Sequence, residues 1–457
     1  MHENHWLRSW SNNTYLWYDE IIDQDPANFT STLDYFDELV TLQTTASGQL
    51  KDKFHFTYEY DEWQQLTRSG ISAGYGANFA VLQSSPPRKV LVSFTEPNTP
   101  ATTANLERGA EILEIDGVDL VNAGDQASVD IINGGLFPSD ANESHTFLIR
   151  DLGATETRSI TMTSAEITKS PVQYTSSIST ETGNVGYMLF TTHIATAEEQ
   201  LVNAVNQLKA DNINDLVLDL RYNGGGLLDI ASELAYMIAG ATPTQNQTFD
   251  NLIFNDKHTS VNPVTGQTLS PTPFHSSSQG FSVDQGQALP TLDLERVFIL
   301  STSRTCSASE AIINGLRGVD VEVILIGSTT CGKPYGFYAT DNCGTTYFTI
   351  QFRGSNAKGF GDYSDGFSPE NTAATVGEVV PGCSVADDFT KQLGDSEEAQ
   401  LKAALDYRDT GSCPTPTAKG VGVSSTFNKT KSNNNDSIKI MSSSEQARLL
   451  NNSIYSR

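Results

Sequence analysis

RVFILSTSRTCSASEAIINGLRGVDVEVILIGSTTCGK, residues 296–333, is the stretch that decides the fold. It opens on a run of β-formers, RVFILS (296–301), and closes on another, VEVILIG (321–327), with helical apolar spacing from about Ser309 to Leu316 between them. Two strands joined by a helix at this length form a crossover unit, which makes the strands parallel and puts their carboxyl ends on one edge of a sheet. TSRTCSASE (302–310) follows the first strand, and STTCGK (328–333) follows the second. Ser307 and Lys333 are therefore expected on the same edge, although 26 residues separate them.

Working outward, DLVLDLR (215–221) is a nearly continuous apolar strand, the pattern of a sheet covered on both faces. Three glycines follow it at 224–226, and LLDIASELAYMIAG then reads as a helix. NVGYMLF (184–190) is a further strand, and Glu198–Ala210 is an amphipathic helix with Leu201, Val205 and Leu208 on one face. The expectation is an α/β core over 166–411 with a mainly parallel sheet, interrupted by a loop-rich excursion at 241–292 that is dense in Thr, Asn, Gln, Ser and Pro. A helix spans about Ala399–Tyr407. Residues 69–165 form a small β-rich domain with runs such as ANFAVLQ, KVLVSFT, AEILEIDG and HTFLIRD, and an Asp-Gly turn closes 109–117. Residues 1–68 read as a helical segment, with Leu7, Trp10, Tyr15, Leu16 and Ile21, then Leu33, Phe36 and Leu39, at helical spacing. Residues 412–457 are a Ser/Asn-rich tail with six Lys/Arg against two Asp/Glu, expected to be disordered apart from a short helix near Glu445–Leu450.

Composition limits the function. The 457 residues are too many for one core, and 38% apolar content is enough to build several. A net charge of −27 argues against nucleic acid and against anionic lipid as partners. No apolar run is long enough to cross a membrane, so no integral membrane segment is expected. MHENHWLRSW has no apolar signal core, which leaves a cytosolic protein or one whose export signal precedes this numbering. The five cysteines all lie in the last third, without CxxC or Cys/His zinc spacing. The expectation is no metal and no cofactor.

Three strand-end loops carry the chemistry: RYNGGG (221–226), TSRTCSASE and STTCGK. Sites in open parallel sheets form beyond the carboxyl ends of the strands. A serine hydroxyl needs a base, and a lysine serves as one only when burial keeps it neutral. Lys333 has no acid within four residues on either side, which permits that desolvation. Ser307 would open its helix, aiming the dipole and the Ala308 N–H at a reacting carbonyl. The glycine loop would supply a second oxyanion donor, Gly225 first and Gly224 next. The competing structural reading is that Ser307-Ala-Ser-Glu310 is only a capping box and GGG only a tight turn.

DLRYNGGG, TCSASE and CGK, in this order, resemble the C-terminal processing peptidases, also called tail-specific proteases. The resemblance covers roughly residues 7–410. It implies a helical N-terminal segment, a PDZ domain at about 70–165 and an α/β serine peptidase core. Ser307 then matches the nucleophile, Lys333 the general base, Ala308 and the glycine loop the oxyanion hole, and Glu310 an acid that orients the site. Family members often carry Gln four residues after the lysine, whereas here the residue is Phe337, and Glu310 is the substitute expected to orient Lys333. The PDZ-like unit implies substrates that are proteins or peptides with free C-termini, received by GYGANF (Gly74, Tyr75, Gly76, Ala77, Asn78, Phe79) as an added strand. Cys306 adjoins Ser307 and Cys331 lies two before Lys333, so a Cys306–Cys331 bridge would brace the dyad, with Cys331–Cys343 as competitor and Cys383–Cys413 as a second pair. Oxidised pairs imply a periplasmic or extracellular location, with a lipid anchor also compatible. His193 is the histidine to watch, Asp219 reads as structural, and Asp362, Tyr363 and Asp365 would shape the substrate groove. The alternative function is a non-catalytic peptide- or hydrophobic-ligand-binding protein on the same fold.

Overall fold

The computed structural model describes residues 2–373 and 377–414; the expectations for the tail fall, from residue 415 onward, outside the described residues. The central sheet has six strands in the order Val172–Thr180, Gly183–Phe190, Asp215–Asp219, Arg296–Ser301, Glu322–Gly327 and Gly382–Ser384. The first pair is antiparallel and the other four pairings are parallel. Strand alternation explains how both faces are covered. Val297, Ile299, Val323 and Leu325 face a core shared with helices Ala197–Ala210, Leu228–Ala239 and Ala308–Gly318. Phe298, Leu300, Ile324 and Ile326 face the opposite way, onto helix Ala399–Thr410. The parallel arrangement brings residues 191–196, 220–227, 302–307 and 328–333 to one edge.

The β-rich unit is a six-stranded sheet in which Ala77–Gln83, Lys89–Thr95, Glu111–Ile115, Ser144–Arg150 and Arg158–Thr163 are neighbours in that order. Asp116 and Gly117 both have positive φ (49° and 78°), the conformation an Asp-Gly hairpin turn requires. This unit also contains helix Gln126–Leu136, which strand-oriented reading overlooked. Its signals were present: Asp125 caps the helix by accepting from Ser128 N–H at 2.9 Å, and Val129, Ile132 and Leu136 follow at helical spacing.

The N-terminal segment is only partly helical, a correction to the expectation for 1–68. Helices occupy His2–Thr14, Thr32–Glu38 and Tyr60–Ser69, but Phe56–Glu59 is a strand paired antiparallel with Thr345–Phe348. The aromatic run FHFTYEY suits a pleated surface, and the partner strand outweighs any helical preference. Leu7, Trp10, Phe36 and Leu39 are core residues as the spacing suggests, whereas Leu33 is exposed.

A buried ion cluster joins the layers. Arg221 reaches Asp219 at 2.6 Å, Glu398 at 2.8 Å and Asp387 at 3.1 Å. Arg108, from the β-rich unit, reaches Asp387 and the Tyr222 hydroxyl, each at 2.6 Å. Asp219 is thus part of the scaffold, and Tyr187 donates to it at 2.7 Å. Breaking one partner of such a buried pair typically costs about 3–5 kcal/mol, so this cluster fixes where the glycine loop starts.

Candidate active site

The loop after Arg296–Ser301 is sewn to the glycine loop before it reaches Ser307. Thr305 Oγ1 donates to Leu220 O at 2.8 Å, Cys306 N–H donates to Asn223 O at 3.1 Å, and Ser309 Oγ donates to the same carbonyl at 3.0 Å. Ser307 itself has φ 56° and ψ −107°. An ordinary N-cap residue is extended, so capping alone does not account for this backbone. A non-glycine residue in so sparsely populated a conformation holds strain that its surroundings enforce, and such positions cluster at functional sites. Ser307, 7% exposed, lines a cavity together with Ala308, Ala311, Lys333, Gly226, Asp250 and Tyr363, among others.

Lys333 arrives on the neighbouring loop. Cys331 N–H donates to Thr305 O at 3.0 Å, and a Cys306–Cys331 disulfide joins the two loops directly. The second pair is Cys383–Cys413, and Cys343 is an exposed free thiol. Lys333 is 1% exposed, and its Nζ is buried with no hydrogen-bond partner among the described residues. Burial pushes the amine down to about 7, against the opposing charges of Asp52 and Glu310. Nζ lies 4.4 Å from the ring centre of Phe337 and 4.8 Å from that of Phe54. Phe337 therefore meets the amine with a ring face and offers it no hydrogen-bond acceptor. Ser307 and Lys333 share the cavity, yet no hydrogen bond joins them.

Glu310 ties both loops together. Its carboxylate accepts from Ser307 N–H at 2.9 Å, from Gly332 N–H and Lys333 N–H at 2.8 Å each, and from the Thr330 hydroxyl. It thus holds Lys333 by the backbone, while the amine is left to the aromatic rings. Burial raises its pKa, and the four donors work against that rise. Its carboxylate and the sulfurs of Cys306 and Cys331 lie within 4.8 Å of one another. With those sulfurs bonded to each other, the group offers no thiolate to a metal.

The glycine loop departs from the expected ranking. Gly225 N–H donates to Asn223 Oδ1 at 2.9 Å and is already engaged. The amides of Gly224, Gly226 and Ala308 donate to no other group among the described residues, and of these three Gly226 and Ala308 line the cavity. A Cβ on Gly226 would sit 2.3 Å from His193 O, so only glycine lets the chain pass there. His193 is fully buried behind this loop. Its Nδ1 pairs with Asn223 Oδ1 at 2.9 Å, burial lowers its pKa to about 3, and it does not line the cavity.

In the β-rich unit, Ala77–Gln83 is an edge strand whose one strand neighbour among the described residues is Lys89–Thr95. Tyr75 and Phe79 are buried in the unit's own core, and the Tyr75 hydroxyl donates to Gly135 O at 3.0 Å, so both can meet a peptide only through their backbone. Asn78 faces the α/β core instead: its Oδ1 accepts from Arg304 Nη2 at 3.2 Å. Gly74 ends the short strand Ile71–Gly74, Gly76 O accepts from Glu96 N–H at 2.7 Å, and Ala77 begins the edge strand. Of the 362–365 loop, Tyr363 lines the cavity, while Asp365 is bonded to Thr45 and Ser47. Sequence reasoning missed Asp52, Phe54, Asn223, Asp250 and Thr330. Asn223 alone had a visible signal, its place between DLR and the glycines.

Comparison with known proteins bears on the fold and the order of its parts. Residues 184–336 match the model of peptidase family S41, residues 2–58 its N-terminal domain, and residues 64–135 the PDZ domain. The fold and the order of these parts match an α/β core of the S41 kind preceded by a PDZ unit. The core and the N-terminal segment of the chain are thus similar to peptidase family S41. The chain is 26% identical over 269 residues to a carboxyl-terminal-processing protease of Picosynechococcus sp., covering 59% of this chain and 56% of that protein. It is 25% identical over 256 residues to the chloroplastic carboxyl-terminal-processing peptidase 3 of Arabidopsis thaliana, covering 53% and 42%. The chain thus spans about half the length of these relatives. A solved structure from Bacteroides fragilis described as an S41 protease shares the fold, with a TM-score of 0.65, 22% identity, and coverage of 89% of this chain and 97% of that one.

Proposed function

We propose that the chain is a serine endopeptidase of the C-terminal processing type, with Ser307 as nucleophile and Lys333 as general base. The observation that carries this reading is a buried, unpartnered amine with a pKa of about 7 in the same cavity as a serine at a helix N-terminus. Neutral Lys333 Nζ takes the Ser307 Oγ proton as Oγ bonds to the substrate carbonyl carbon. The carbonyl oxygen becomes an oxyanion held by Ala308 N–H and by a glycine-loop amide, for which Gly226 is better placed than Gly225. Collapse breaks the C–N bond, and the leaving amine takes the proton from Lys333. Water then repeats the sequence on the acyl-enzyme, restoring Oγ–H and releasing a new carboxylate. Glu310 is a positioning residue that keeps both loops in register.

The edge strand Ala77–Gln83 would receive the substrate's C-terminal segment by strand addition. The Arg304–Asn78 bond connects that strand to the loop bearing Ser307. Two disulfides favour a periplasmic or extracellular location, and no described helix is long and apolar enough to cross a membrane. The test is cleavage of unfolded casein and of a peptide with an apolar C-terminus. Ser307→Ala and Lys333→Ala should each lose at least about 10³-fold in rate with unchanged circular dichroism. Undiminished cleavage by Ser307→Ala would defeat the assignment, and saturable binding without cleavage by the unmutated chain would favour a binding protein on this fold.

A further inference from the structure

Asp250 is the acidic residue among those lining the cavity that holds Ser307 and Lys333, and the reaction as derived does not use it. It ends the short strand Thr248–Asp250, is 7% exposed, and has neither an ion pair nor a side-chain partner among the described residues. The backbone amides of Asn251 and Ser355 are the polar groups that lean on it. A Cβ on Gly354 would come within 2.4 Å of its Oδ1, so a glycine opposite makes room for the carboxylate. Apart from Ser307 and Lys333, the remaining lining is mostly apolar or aromatic, with Leu228, Ala308, Ala311, Phe352 and Tyr363 among it. Lys333 Nζ has no hydrogen-bond partner among the described residues, so Asp250 is not paired with it.

Burial without a cation pushes the Asp250 carboxyl up to about 7, and a ligand that brings a cation would draw it back to the carboxylate. Apolar walls leading to an acid suit a side chain with a methylene stem and a charged head. Ala308 both lines this slot and offers the amide facing the reacting carbonyl, which ties the slot to the residue bearing that carbonyl. We propose that Asp250 is a specificity-determining residue: it selects Lys or Arg at the substrate position whose carbonyl Ser307 attacks. The inference rests on the peptidase reading and adds a substrate class to it.

The test uses the full chain and a set of otherwise identical peptides carrying Lys, Arg, norleucine or Glu at that position. A control peptide has norleucine there and Lys three residues away, which separates the slot from general attraction to an acidic protein. Expected is a kcat/KM preference for Lys and Arg over norleucine of about tenfold or more, falling to within about threefold in Asp250→Asn. Asp250→Ser, a smaller change at the same place, should do the same if the asparagine variant folds poorly. Binding to Ser307→Ala, read by fluorescence anisotropy, gives the same comparison without turnover. Cleavage with no Lys or Arg preference, or with a preference that survives both Asp250 variants or follows the distant lysine, overturns the inference and leaves the peptidase reading standing. Lys-selective binding abolished in Ser307→Ala/Asp250→Asn, with no cleavage by the unmutated chain, leaves the slot standing and defeats the peptidase reading.

Discussion

The cavity around Ser307 is enclosed by two kinds of wall, and they are built in opposite ways. One wall consists of the loops that follow Asp215–Asp219, Arg296–Ser301 and Glu322–Gly327. It is stitched by short-range topology, by the Cys306–Cys331 bridge and by Glu310. The other wall comes from far away in sequence: Asp250, from the excursion at 241–292, lines the cavity, and Asp52 and Phe54, from the N-terminal segment, act on the Lys333 amine without lining it. The first wall holds the groups proposed to react. The second sets their environment, because Phe54 helps desolvate the amine and Asp250 colours the slot beside it. Chemistry and environment are thus delivered by different parts of the chain, and each can be disturbed without the other.

The largest expected effect falls on the reacting wall. Lys333→Met should remove cleavage and also stabilise the fold. The sign follows from the lowered pKa: the folded chain binds fewer protons here than the unfolded chain, so the lysine's burial costs stability below a pH of about 7 and costs nothing above the ordinary lysine pKa. Thermal melts should therefore show Lys333→Met more stable by on the order of a few kcal/mol at pH 6–7, with the difference vanishing toward pH 10–11. Inactivity without this pH-dependent gain would mean that the amine is solvated and charged, and the comparison between the walls would fail at its first point.

Next in size is Glu310→Ala. It strips an acceptor from three buried N–H groups and a hydroxyl. Unsatisfied buried donors cost about 1–3 kcal/mol each, so a melting temperature lower by roughly 10 °C or more is expected, along with a fall in kcat of at least about 10²-fold and little change in KM. Glu310→Gln keeps one acceptor oxygen and should recover part of both. Recovery of stability without recovery of kcat would separate packing from positioning. On the other wall, Glu198→Gln tests how firmly the excursion is held. Glu198 accepts from the amides of Gln279, Gly280, Ser282 and Val283 at 2.6–2.9 Å, which hold its pKa low although burial pushes it up. Presenting an NH2 to those donors should cost about 2–3 kcal/mol and open residues 279–283 to limited proteolysis, while Lys333's titration stays where it was.

The difference between the walls also explains what was legible in the sequence. Strand spans such as 296–301 and the convergence of Ser307 with Lys333 follow from local periodicity plus one topological rule. Glu310 was visible as part of a capping pattern, although its reach to Gly332 and Lys333 N–H was not, since that depends on the spacing between adjacent loops. The expectation of Gly225 as the second donor fails because sequence does not reveal that Asn223 folds back onto its amide. Phe54 and Asp250 carried no local signal at all. One sits in a stretch read as helical, the other in a stretch read as loop, and only tertiary packing gives either a role. Charge counting near Lys333 found no acid nearby in sequence, but Asp52 acts on the amine from 281 positions away.

The smallest expected effect is also the one that sharpens the comparison most, because Phe337 lies where the two walls meet. Its ring covers the Lys333 amine from one side and Phe54 covers it from another. A ring face attracts a cation but excludes water, and the net lowering of the pKa to about 7 means that exclusion dominates. Phe337→Gln would place an acceptor oxygen near Nζ and reduce the apolar cover. Both changes favour the ammonium, so the pKa should rise. A base must be neutral to act, so kcat/KM below that pKa falls about tenfold per pH unit, and the acid limb of the pH–rate profile should move up by about half to one unit in Phe337→Gln. The plateau at high pH should change little if Glu310 holds the backbone of Lys333 in place without help from the ring. A plateau that drops while the limb stays fixed would instead show that Phe337 aims the amine, which would make the environment wall a positioning element as well.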